Sequence, residues 1–186
     1  SFKLMGQEDS EIQQRRTIPG TDESLPLIGY GNSRAFRPSD IELSKQLLEI
    51  LLKFGGGYID LLGNSRAFIN ELAHQMQASD AIFTGNMVEA RNYNSGAQEI
   101  ETLRAAQGSE PLDLVSTRDI PSYASGRKEF YQAWKEAGLT RYVGVGVSGS
   151  GAHSDMMKLV LRGEVDFIQT SYSMFETDAA VRLLPM

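Results

Sequence analysis

The strongest constraint on this chain is an alternation. Short apolar runs, with no polar–apolar alternation inside them, are each followed by a longer stretch whose apolar residues recur at helical spacing. The runs are Leu25 to Gly31, Tyr58 to Leu62, Ala81 to Thr84, Pro111 to Val115, Tyr142 to Val147 and Asp166 to Thr170. Runs that are apolar on both sides are buried on both faces, which implies a parallel sheet covered by helices. The pattern predicts an α/β fold of six βα units.

The intervening segments support this. Ser39 with Glu42 has capping-box spacing and opens a helix whose apolar face is Ile41, Leu47, Leu48, Leu51 and Phe54. Gly55, Gly56 and Gly57 stop it. Further helices are marked by Phe68, Leu72 and Met76, by residues 97–107, by Phe130, Trp134 and Ala137, and by Met156, Leu159 and Val160. A last one begins near Glu176. Residues 1–16 are polar and aperiodic and read as a flexible tail, leaving 17–186 as one domain. Two architectures fit, a doubly wound open sheet and a (β/α)8 barrel, and periodicity does not choose between them.

Composition removes several function classes. A net charge of −6 argues against a nucleic-acid backbone or an anionic membrane as partner, although an anionic cofactor needs only a local cluster of donors. Cysteine is absent, so thiolate chemistry and thiolate metal sites are excluded. The two histidines, His74 and His153, stand far apart and leave little material for an imidazole metal site. No apolar run approaches the roughly 20 residues of a membrane span. Arg15-Arg16 is followed by the polar stretch Thr17 to Glu23, so the pair reads as surface charge rather than an export signal. A cytoplasmic protein is expected, with export after removal of an upstream signal as the other reading.

Gly144-Val145-Gly146-Val147-Ser148-Gly149 matches the dinucleotide fingerprint between a strand and a helix. That fingerprint normally opens a fold, and here several units precede it. The acidic residue expected after the next strand is also missing, because Asp166 begins that strand. The segment therefore reads as a glycine-rich βα loop admitting phosphate or substrate to a helix N-terminus.

Two longer segments carry a resemblance. RRTIPGTDESLPLIGYG, Arg15 to Gly31, resembles the opening of a bacterial aldo/keto reductase, where a small hairpin plugs the barrel floor and leads into the first strand. Trp134 to Pro185 is similar to the same family's fourth to sixth helices, with Lys135-Glu136-Ala137-Gly138, then Arg141-Tyr142 before Val143-Gly144, then Asp166-Phe167-Ile168-Gln169 before a Tyr-Ser pair. GGGYID at 55–60 and EPLDLV at 110–115 resemble its second and fourth strands. The resemblance implies a (β/α)8 TIM barrel with its site at the C-terminal strand ends. It also implies NADPH-dependent reduction of a small aldehyde or ketone. In that chemistry a tyrosine donates a proton, a lysine lowers its pKa, an aspartate pairs with the lysine and a histidine orients the carbonyl.

Carried over residue by residue, the match is incomplete. The aspartate falls on Asp60. The tyrosine falls on Ser65, or on Leu62 with a deletion; the lysine falls at or beside Asn86; the histidine falls near Arg118. None of these is the required residue. The family's cofactor contacts fall on Gly31, Gln169 and Ser171, with Gln169 as the carboxamide ligand, while its Ser/Thr–Asn/His pair falls on Gly146 and Val147. Two functional expectations follow: an NADPH-dependent oxidoreductase, or a catalytically inactive barrel that binds a nucleotide or small ligand. A third is a structural or interaction module. The hexapeptide GNSRAF occurs at both Gly31–Phe36 and Gly63–Phe68, and the second copy occupies the stretch where the family keeps its tyrosine. Six strands fall short of eight, and about 250 residues is typical of the fold. The expectation is a barrel incomplete at its C-terminus, continued by more chain or covered by another.

Overall fold

The computed structural model describes residues 14–31, 36–61 and 65–186. It opens on a hairpin, β1 (Arg15–Thr17) antiparallel to β2 (Ser24–Pro26). The βα units follow: α1 (Ile41–Lys53), β3 (Gly57–Leu61), α2 (Ser65–Gln75), β4 (Ile82–Met87), α3 (Tyr93–Ala106) and β5 (Leu112–Thr117). Then come α4 (Ile120–Ser122), a π-helical turn at Tyr123–Arg127, α5 (Lys128–Glu136), β6 (Thr140–Val147), α6 (His153–Leu161), β7 (Phe167–Thr170) and α7 (Ala179–Arg182). The five long strands are parallel and pair in sequential order, β3-β4-β5-β6-β7. Sequential order excludes the doubly wound sheet, whose strand order reverses at a switch point. The sheet curls into part of a (β/α) barrel. Among the described residues no helix is long and apolar enough to cross a membrane.

One expected strand is much reduced. Of Leu25 to Gly31, the first two residues finish the floor hairpin, and the barrel contact is a single bridge between Tyr30 and Ile59. The Tyr30 amide donates to the Tyr58 carbonyl at 2.7 Å, and the Asp60 amide donates to the Tyr30 carbonyl at 3.0 Å. Pro26 has no amide hydrogen to extend a ladder. Gly29 lies so close to β3 that a Cβ there would stand 2.9 Å from the Tyr58 carbonyl. Arg15 and Arg16, assigned above to the tail, belong to β1. Residues 1–13 lie outside the described residues, as do 32–35 and 62–64 within the two GNSRAF copies. The phenylalanines that end the copies, Phe36 and Phe68, join one apolar cluster between α1, α2 and β3.

The helices form where the apolar spacing places them, with one change of cap. Asp40, not Ser39, caps α1, its carboxylate accepting from the Leu43 amide at 3.1 Å. Leu47, Leu48 and Leu51 pack inward, but Ile41 and Phe54 at the two ends of the helix remain exposed. Gly55 and Gly56 both take positive φ and reverse the chain into β3, and a Cβ on Gly56 would overlap the Ala81 carbonyl. The largest core lies between α3, α5, α6 and the outer face of β5 and β6, around the fully buried Trp134 and Tyr131.

Two motifs of the resemblance meet here. Lys135 on α5 holds both oxygens of Asp166 at 2.7 Å, and Asp166 also accepts from the Val143 amide at 2.9 Å. That carboxylate ties the start of β7 to α5 and β6.

Candidate functional site

Strand alternation sorts the side chains of the concave face into two levels. The lower level is aromatic. Phe83 lies 6.1, 5.8 and 5.5 Å from the rings of Tyr58, Tyr142 and Phe167, with Ile18 and Leu25 of the hairpin region packed in the same cluster. This is the plugged floor that the opening segment implied. Glu23, in the hairpin turn, fixes the plug by accepting from the Tyr142 hydroxyl at 2.8 Å and by pairing with Arg141. Burial would raise the Glu23 carboxyl, but hydrogen bonds from Arg141 and Tyr142 outweigh it and hold the group below its ordinary 4.5.

The upper level carries Asp60, Gly85, Ser116, Gly146 and Gln169. Asp60 is 6% exposed and accepts from Gln169 Nε2 at 3.1 Å. These residues sit on β3 and β7, the two terminal strands of the five-stranded sheet, so the bond spans the concave face directly. Gly146 makes room for it, since a Cβ there would stand 2.9 Å from Gln169 Cβ. The first two glycines of the fingerprint-like segment are thus strand residues that clear the lumen. A cavity of about 220 Å³ lies between the two levels, lined by Tyr58, Leu114, Ser116, Gly144, Phe167 and Gln169. Its lining contains no lysine, arginine or histidine among the described residues.

The remaining expected positions are placed as follows. Ser65 is the first residue of α2, and Leu62 lies outside the described residues. Asn86 is fully buried but faces away from the lumen, donating to Thr84 Oγ1 at 3.2 Å and accepting from Asn70 at 3.3 Å. The β4 residues that alternate into the lumen are Gly85 and Met87. A Cβ on Gly85 would overlap the Tyr58 hydroxyl, so a lysine at that position requires the Tyr58 side chain to move. Near the histidine position, Arg118 gives its backbone amide to Glu89 at 2.8 Å, and Thr117 gives its hydroxyl to the same carboxylate at 2.7 Å. The next residue, Asp119, pairs with Arg127.

Of the expected cofactor positions, Gln169 and Ser171 lie together at the end of β7, where the Ser171 hydroxyl accepts from the Gly149 amide at 3.1 Å. Gly31 lies beyond the Tyr30 bridge, exposed, with nothing within 4 Å of a Cβ built on it. The structure adds two groups that sequence reasoning missed. His153, at the start of α6, bonds through Nε2 to Thr170 Oγ1 at 2.9 Å. Tyr58 is a phenol on the same strand face as Asp60, legible in principle from their i, i+2 spacing. Burial, and secondarily the Asp60 charge, push its pKa upward, which makes it a poorer acid. No group of three or more potential metal ligands occurs among the described residues.

Solved structures similar to this chain include several aldo-keto reductases. A putative aldo-keto reductase from Pseudomonas aeruginosa superposes with TM-score 0.74 at 15% identity, covering 94% of this chain and 73% of that one. One from Bacillus halodurans in its holo form gives 0.67 at 16% identity, covering 87% of this chain and 58% of that one. One from Klebsiella pneumoniae, in complex with NADP and acetate, gives 0.66 at 16% identity, covering 87% and 60%. The chain therefore spans roughly three fifths of the length of several of the barrels it matches. No family model and no curated protein matches it.

Proposed function

We propose that this chain is a barrel of aldo-keto reductase type that binds a nicotinamide dinucleotide, NADPH by resemblance, without supplying the proton transfer of carbonyl reduction. One observation carries the reading: Asp60 accepts from the Gln169 amide, and the lumen cavity that Gln169 lines has no lysine, arginine or histidine in its wall among the described residues. In the reductase chemistry that aspartate steadies a lysine, whose charge makes a phenol acidic enough to protonate the developing alkoxide. Here the position facing Asp60 across the β3–β4 ladder is Gly85. The bound dinucleotide would supply hydride chemistry. Gln169 and Ser171 would hold its carboxamide end at the lip of β7, where a bridging amide can turn from Asp60 to a ligand. That the Klebsiella pneumoniae neighbour was solved with NADP supports the choice of ligand class.

An active reductase with a small aldehyde or ketone as substrate is the second reading. It has one observation in its favour, the Tyr58 phenol beside Asp60, but the direction of its pKa shift opposes acid catalysis.

The test titrates NADPH into the protein by fluorescence and follows its consumption with 4-nitrobenzaldehyde. The expected result is saturable binding weakened by Gln169→Ala, with no turnover above the uncatalysed rate. Steady turnover abolished by Asp60→Asn would establish the second reading instead. Absence of any saturable NADPH signal would defeat both.

A further inference from the structure

The floor hairpin is joined to the barrel by side chains. Its strands β1 and β2 pair only with each other. Its backbone bonds also stay within it: the Ile18 amide donates to the Glu23 carbonyl at 2.8 Å, and the Leu27 amide to the Gln14 carbonyl at 2.9 Å. Among the described residues, the first backbone bond from this end of the chain to the barrel is the one made by Tyr30. The attachments before that point are Arg15 on the Gly55 carbonyl at 3.1 Å, Glu23 on Arg141 and Tyr142, and the packing of Ile18 and Leu25 against the aromatic layer. Segments with few buried contacts and exposed backbone bonds are the first to open.

The Glu23 attachment can break without stranding a charge. Removing one partner of an ion pair is costly where the other is left buried and alone. Arg141 has a second carboxylate, Asp113 of β5, at 2.7 Å, and Asp113 is itself held by the Thr84 amide at 2.8 Å. Arg141 also lies over the rings of Phe83 and Tyr142, at 5.9 and 5.5 Å from their centroids. When Glu23 leaves, the guanidinium stays paired and stacked, and the Glu23 carboxylate passes into water. The connection to Tyr30 can turn, because Leu27 and Ile28 are exposed and Gly29 has no Cβ.

The hairpin also divides two cavities. One of about 290 Å³, at the N-terminal ends of β3 to β6, has Arg15, Glu23, Ser24, Leu25 and Pro26 in its wall. Leu25 lines the lumen cavity as well. We propose that the floor hairpin is a hinged strap: it peels away from the aromatic layer while the barrel stays folded, and the two cavities that Leu25 divides then join. The proposal does not depend on the dinucleotide reading.

The chain has no cysteine, so a single introduced thiol reports its own exposure. Ile18→Cys places one on the buried side of the hairpin, and Ile100→Cys places a reference in the helix-layer core, at residues 5% and 0% exposed. Both variants are labelled with dithiobis(nitrobenzoic acid) under native conditions in low concentrations of urea. The Ile18 position should label about tenfold or more faster than the reference, with less than half its urea dependence, because local opening exposes little surface. Adding Glu23→Gln to Ile18→Cys should speed labelling roughly fivefold. A second measurement needs no buried substitution. A released two-stranded hairpin is marginal in water, so trypsin should cut after Arg15 or Arg16 before it cuts the barrel, and sooner in Glu23→Gln than in the parent. Equal urea dependence at the two thiols, hairpin cleavage no faster than barrel cleavage, or rates indifferent to Glu23→Gln would overturn the proposal.

Discussion

The bond between Asp60 and Gln169 should be visible as a coupling energy. The perturbation is a double-mutant cycle of Asp60→Ala, Gln169→Ala and the pair together. Hydrogen bonds to a charged group contribute about 1.5–3 kcal/mol where both partners are buried. Asp60 is buried, but Gln169 is exposed and its amide exchanges readily with water, which pulls the expectation towards about 1 kcal/mol. With a urea m-value of about 2 kcal/mol/M, that coupling appears as a midpoint discrepancy of roughly 0.5 M. The sum of the single-variant shifts should exceed the double-variant shift by this amount, because each single change already breaks the bond. The assay is equilibrium urea unfolding of the four proteins by far-UV circular dichroism, with m-values compared to confirm a common transition. A coupling inside the roughly 0.3–0.5 kcal/mol scatter of independent sites would refute the reasoning. It would mean that Asp60 and Gln169 do not hold each other in solution. The claim that Asp60 is diverted from a cation would then lose its support.

Phe83→Ala should cost about 3–5 kcal/mol, the usual range for a buried aromatic, because Phe83 is 4% exposed and touches three other rings of the floor layer; a urea midpoint close to that of the parent protein would show that the floor is not packed. Glu23 gives a pH dependence: its folded pKa lies below the unfolded value, so its contribution is present above about pH 4.5 and lost as pH falls through the lowered folded pKa. The stability gap between the parent and Glu23→Gln should therefore shrink on acidification below pH 4.5, and a gap independent of pH would contradict the sign.

The fold was largely legible because the signals that encode it are local. Apolar runs between helical segments gave five of the six expected strands, since burial on both faces leaves such runs few alternatives. The exception, Leu25 to Gly31, shows the limit. A short apolar run reports burial but not its partner, and Pro26 with Gly29 converts most of this one from a barrel strand into a hairpin and a single bridge. The Asp166 and Lys135 motifs were recognisable for a related reason. They lock an α5–β6–β7 joint whose geometry belongs to the fold, so they report architecture and say nothing about chemistry.

The site was legible only in part, because a catalytic position is defined by the face a side chain presents as well as by its place along the chain. Counting along the sequence put the missing lysine at or beside Asn86. Alternation shows that Asn86 points into the helix layer and that the lumen level beside Asp60 belongs to Gly85. The absence is therefore deeper than a substitution at one residue. The Tyr58 hydroxyl stands in the volume that any side chain at Gly85 would need, so Gly85→Lys rebuilds an ion pair only if that phenol moves aside. Tyr58, a residue that spacing could have flagged and resemblance did not, thus limits which side chains can stand beside Asp60.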